Sequence, residues 1–164
     1  STSNSVIKRQ RNVGAAITAT TNGEHIKLFY YDKGAGELIH TWWTGKAWKT
    51  ERFDGDINTV LKNHINAGKH IYTGVANGTY YVIYYDDATV FSGELTSAWR
   101  MAYWHNRAWA QRTLDGGVQS ISGSSAAIPE GDIAAQTQRV GTKQQLHILY
   151  KDASGGIKHI RLSR

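Results

Sequence analysis

The hexapeptide Trp43-Thr44-Gly45-Lys46-Ala47-Trp48 returns as Trp104-His105-Asn106-Arg107-Ala108-Trp109, so this chain is assembled from copies of one unit. Repetition constrains a fold strongly, because each copy must bury its apolar face against a neighbouring copy. Three copies are readable, over about 14–55, 69–116 and 132–164. The first runs from Ala15 through an Asn22-Gly23 turn into His25–Asp32, then through a Gly-rich turn into Leu38–Trp43 and Trp48–Phe53. The second repeats the order with Asn77-Gly78, Tyr80–Asp86, a longer loop to Ala98, Trp99–Trp104 and Trp109–Leu114. Both copies end in Asp-Gly, at Asp54-Gly55 and Asp115-Gly116. The third contains Ile133–Arg139, Leu146–Asp152 and Ile157–Leu162, and ends one strand short.

The runs are short, aromatic and β-branched, and glycine separates them. Six Trp, nine Tyr, 17 Gly and a single Pro are what strands joined by tight turns require, so the chain is read as all-β. At 164 residues it has the length of one domain with its own core. It has no cysteine, which excludes disulfides and thiolate metal sites and leaves the redox compartment open. No apolar run reaches the roughly 18 residues of a membrane span, and Ser1–Ser5 shows no signal-peptide core. The expectation is a soluble chain, cytoplasmic or secreted without a visible signal peptide, its compartment unknown.

Two connecting segments are read differently. Residues 57, 60, 61 and 65 are apolar at helical spacing, with Asp56 placed as N-cap and Gly68 as stop, so a short helix is expected near 57–67. The Ser/Gly/Ala-rich link over 117–131 is expected to be an irregular loop. The unassigned β-like run at 5–12 is expected to supply the strand that the third repeat lacks.

Four-stranded repeats of about 50 residues with aromatic motifs suit a propeller blade, and a β-trefoil is the alternative. The residues carry a closer likeness. His25-Ile26-Lys27-Leu28-Phe29-Tyr30-Tyr31-Asp32 resembles the second blade strand of fungal fucose-binding lectins. Gly36 through Trp48, with Leu-x-His-x-Trp-Trp-x-Gly-x-x-Trp, is similar to the bacterial Trp-Trp-repeat propeller lectins. Three blades cannot close a ring, so the resemblance implies a homodimer or higher oligomer, most simply two chains making six blades. It also implies sugar sites between blades, with an Arg from the second strand and a Glu from the third. The Arg position falls on Lys27, Tyr81 and His147, the Glu position on His40, Met101 and His159, so no repeat keeps the pair.

A sugar presents apolar C–H faces and hydroxyls, and is recognised by an aromatic platform beside fixed polar groups. The candidate ligand-binding residues are therefore Lys27, His40, Trp43, Trp48, Tyr81, Trp99, Trp104, Trp109, His147 and His159. The repeated tryptophans also suit packing between repeats. Asp32, Asp86 and Asp152 end equivalent strands and are read as turn-forming residues. No paired-carboxylate, nucleophile-elbow, phosphate-loop or metal motif appears, so neither catalysis nor a cofactor is expected. The net charge of +6 comes without a nucleic-acid motif, and nucleic-acid binding is not expected. The resemblance thus implies a multivalent lectin binding glycans or glycoproteins. The alternative is a non-enzymatic protein-interaction or structural β-repeat module.

Overall fold

The computed structural model describes residues 13–56, 58–61, 67–91, 94–116, 120–122, 131–152 and 154–163. Among these residues the chain is all-β, and every sheet is antiparallel, each strand pairing with the next. The first sheet holds β1 (Val13–Thr21), β2 (Ile26–Asp32), β3 (Glu37–Trp43) and β4 (Trp48–Asp54). The second holds β5 (Ala67–Ala76), β6 (Thr79–Phe91), β7 (Glu94–His105) and β8 (Ala108–Asp115). The third holds β9 (Ile133–Val140), β10 (Lys143–Lys151) and β11 (Ile157–Ser163). Tight turns join the strands where small or amide residues tolerate a left-handed backbone, as at Asn77 (φ 49°) and Gly78 (φ 70°).

The second sheet lies between the other two, and strand alternation divides its residues. On β6, Tyr81, Ile83 and Tyr85 join Leu146, Ile148 and Tyr150 of the third sheet. The intervening Val82 and Tyr84 join Phe29, Leu38 and Phe53 of the first. A period of two therefore places alternate side chains of one strand in two different cores. β5 is the common neighbour, packing on β1, β2 and β3 on one side and on β9 and β10 on the other. Thr18 and Thr73 hydroxyls meet at 2.9 Å between β1 and β5.

Three expectations are corrected. No helix occurs among the described residues: residues 57 and 62–66 lie outside them, and Ala67 and Gly68 already belong to β5. The amides of Val60 and Leu61 donate to the carbonyls of Arg52 and Phe53, at 3.1 and 3.0 Å, so Leu61 does not donate to residue 57 as an α-helix requires. Sixty-one residues on, Ile121 and Ser122 donate to Thr113 and Leu114 at 3.0 Å, so the two links return along their last strands in the same way. Second, the loop expected before Ala98 is a continuation of the β6–β7 hairpin, with Thr89 opposite Thr96 and Val90 opposite Leu95. Its β-branched residues favour that extension. Third, Asp86 forms no turn, because its strand continues; it is buried and paired with Arg100 at 2.6 Å. Asp32 and Asp152 do cap turns, accepting from Gly34 and Ser154 at 2.9 Å. The strand expected over 5–12 and most of the link over 117–131 lie outside the described residues.

The Asp-Gly that closes each four-stranded repeat joins one sheet to the next. Asp54 Oδ1 accepts the Gly55 amide at 2.9 Å, and its Oδ2 accepts the Tyr84 hydroxyl of β6. Asp115 likewise accepts from Gly116 at 3.0 Å and from Tyr150 of β10 at 2.6 Å. Both glycines are required: φ is +114° at Gly55 and +77° at Gly116, and a Cβ at Gly116 would lie 2.3 Å from the Ser97 carbonyl oxygen.

The two carboxylates differ in charge balance. Burial raises the Asp54 pKa from the ordinary 3.8 to about 6 despite the bonds from Tyr84 and Gly55. Burial also acts on Asp115, but hydrogen bonds from Ser122, Tyr150, Lys158 and Gly116 outweigh it and hold that carboxyl below its ordinary value. Lys158 Nζ lies 3.1 Å from Asp115.

Gly116→Ala is expected to cost at least about 1–3 kcal/mol in urea denaturation. The stabilising contribution of Asp54 is full below its unfolded-state pKa and is lost as pH rises through about 6. Asp54→Asn should therefore flatten the fall in stability between about pH 4 and 6. Asp115 has the opposite sign, contributing stability above its unfolded-state pKa, and Asp115→Asn should cost about 1–3 kcal/mol at pH 7.

Candidate functional site

An open cleft of about 920 Å³ lies along the junction of the first and second sheets. Its floor is a stack of rings. His40 of β3 lies between Phe29 of β2 and Trp42, at centroid distances of 4.6 and 4.8 Å and interplanar angles of 11° and 18°. Trp109 of β8 meets His40 edge-on at 5.5 Å. The β3–β4 register sets Glu51 opposite His40, and His40 Nδ1 lies 2.8 Å from Glu51 Oε1. Burial lowers the His40 pKa, against the raising effect of that hydrogen bond, so the neutral ring donates its Nδ1–H and orients the carboxylate.

Lys27 of β2 reaches into the same cleft. Its ammonium lies 4.9 Å from the Tyr80 ring centroid, 5.6 Å from Trp109, 5.7 Å from Trp104 and 6.0 Å from Trp42. The first sheet supplies one of these rings and the second supplies three. Cation–π attraction favours the ammonium there. Burial lowers its pKa, while the Glu51 charge acts to raise it. Among the described residues Lys27 has neither a hydrogen bond nor an ion pair, so its three N–H donors face the cleft without a protein acceptor.

The cleft gathers five of the ten sequence-derived candidates: Lys27, His40, Trp43, Trp104 and Trp109. Trp104 is exposed and forms a platform, whereas His40 is floor. Trp48 lies against Trp43 at 5.6 Å, as Trp109 lies against Trp104 at 5.4 Å. Trp99 has no exposed surface and packs on Tyr85 and Tyr150, so it is core rather than a ligand contact. Burial wins there because Trp99 points toward the third sheet. Tyr81 lies between the second and third sheets, beside a pocket of about 50 Å³ with Met101, Tyr103, Leu146 and Leu162. His147 and His159 stack on the third sheet, Nδ1 to Nε2 3.0 Å, and do not line the cleft.

Glu51, Trp42, Tyr80 and Arg107 line the cleft without having been singled out from sequence. Glu51 was within reach of such reading, since counting outward from the Trp43–Trp48 pair sets residue 51 opposite 40. Tyr80 had no such signal, because its place depends on how two sheets meet. Its hydroxyl donates to the His25 carbonyl of the first sheet at 3.2 Å.

Among the described residues no group of three or more His, Asp or Glu side chains could hold a metal ion, and no helix is long and apolar enough to cross a membrane. No protein-family model, curated protein or solved structure matches the chain.

The floor and the wall should respond differently to substitution. His40→Ala is expected to cost about 2–3 kcal/mol in chemical denaturation, because it opens the ring stack. Lys27→Met should stay within about 1 kcal/mol of the parent, since the lost cation–π attraction is offset by relief of a half-buried charge.

Proposed function

We propose that the chain is a non-catalytic carbohydrate-binding module whose binding site is the cleft between the first and second sheets. One observation carries the reading: Lys27, without an acceptor among the described residues, and the oriented carboxylate of Glu51 face the same cleft as the exposed ring of Trp104. A sugar uses all three, stacking a C–H face on the ring while hydroxyls accept from Lys27 and donate to Glu51. Lys27 occupies the position of the lectin Arg. The acid comes from β4, across from the position where the lectins carry Glu. Among the described residues Glu51 is the one carboxylate lining the cleft, which supports binding over glycoside hydrolysis, whose usual mechanisms need two.

The sheet arrangement supports the propeller reading of the repeats over the trefoil. Among the described residues each sheet is a self-contained meander, no strand pairs between sheets, and the first strands of successive sheets adjoin. Association of two copies into a larger ring is part of the proposal. The positions of Ile83 and Trp99, fully buried in the second sheet, are taken in the third by Leu149 and Ile157, which are 42% and 81% exposed. A further sheet would cover them.

A glycan array followed by calorimetry with the best binder tests the site. Trp104→Ala and Glu51→Gln should each weaken binding at least about tenfold while the circular dichroism of the fold is kept. An array with no binder defeats the carbohydrate reading. Light scattering should give at least twice the 18.2 kDa chain mass, and a monomer would remove the ring.

A further inference from the structure

We infer that the saccharide recognised by this cleft is acidic, and that its carboxylate is held between Lys27 and Arg107. The inference rests on the carbohydrate reading above and names its ligand class. Two independent features point to an anion. The first is the Lys27 ammonium, which sits in a ring of four aromatic faces and has no hydrogen-bond acceptor or counter-ion in contact among the described residues. The rings favour its charge but offer nothing to its N–H groups, and an oxyanion would accept from them directly.

The second is the β7–β8 turn. Asn106 and Arg107 both have left-handed backbone, at φ 50° and 65°, although an arginine is poorly suited to that region. In the first repeat the same slots hold Gly45, at φ 87°, and Lys46, which does not have positive φ. The second repeat thus adopts a costlier turn, and it places Arg107 on the wall of the cleft while Lys46 is absent from that wall. Strain kept where a charged side chain lines a cleft is a mark of a functional position.

The charges lining the cleft favour an anion as well. Among the described residues lining it, Lys27 and Arg107 stand with one carboxylate, Glu51, which is already engaged by His40. Glu51 then sets a further requirement: the ligand must offer it a hydroxyl, because a second carboxylate at that end would be repelled. A uronic or sialic acid meets both conditions, with a carboxylate for the two cations and a ring or chain hydroxyl for Glu51. A neutral sugar leaves Arg107 without a partner, and a simple anion leaves Glu51 without a donor.

The experiment compares glucuronic acid, galacturonic acid and N-acetylneuraminic acid with their methyl esters, by NMR titration at low and physiological salt, beside a glycan array of neutral and acidic glycans. At least one acid should bind tenfold or more tightly than its ester, with the ratio shrinking as salt rises. Lys27→Met and Arg107→Gly should each bring that ratio towards one while the fold, followed by circular dichroism, is kept. Arg107→Gly relieves the turn, so loss of the ratio in that variant reports the charge and not unfolding. Equal binding of acids and esters, or an array in which every binder is neutral, overturns the inference and leaves the carbohydrate reading standing. An array without any binder removes both.

Discussion

A carboxylate buried between two sheets, accepting a tyrosine hydroxyl from the neighbour, is the contact on which the rest of the arrangement depends. Asp54 reaches Tyr84 and Asp115 reaches Tyr150, so the last strand of one repeat is tied to the second strand of the next. The tie fixes the height at which successive sheets meet. That height in turn sets Tyr80, four residues before Tyr84 on β6, beside Lys27 of the first sheet. Burying a carboxylate is costly unless its lone pairs are satisfied, and each aspartate meets this with the amide of the following glycine as well as the tyrosine. Asp115 has Lys158 in addition, and the two junctions are electrostatically unequal although their backbones are alike.

Much of the fold was legible in the residues themselves. Alternation, Asn-Gly and Asp-Gly pairs and the recurring tryptophans report local geometry, and local geometry decides where an antiparallel meander turns. The segment after Gly55 was misread for a physical reason. Apolar residues at 57, 60, 61 and 65 fit a helix, but those at 60 and 61 find backbone partners in β4 instead. Periodicity describes one segment alone, and here a nearby strand competed for its amides. The repeated spacing of Asp54-Gly55 to Val60 and Asp115-Gly116 to Ile121 was the available signal, because equivalent links in equivalent repeats should be solved alike.

The site was legible by halves. The half within one sheet, Lys27, His40 and by register Glu51, follows from strand pairing. The half contributed by the second sheet does not, because the approach of two sheets depends on buried volumes summed over many side chains. Trp99 shows the limit from the other direction: its place among the strand aromatics does not tell which face it takes, and one step in register separates platform from core. The repeats also show that a scaffold does not carry its chemistry with it. Where the first junction has Lys27, His40 and Glu51, the second has Tyr81, Met101 and Arg112, and the small pocket there is apolar.

The placement of the indoles has an optical consequence. Trp42, Trp43, Trp104 and Trp109 line the cleft and Trp48 rests on Trp43, which leaves Trp99 in the core between the second and third sheets. Five of the six indoles therefore sit in or against one wall system, with a cation among four of its rings. The emission of the unlabelled chain is in effect a reporter of the cleft, and the single deeply buried indole reports separately on the junction at the other side of the second sheet.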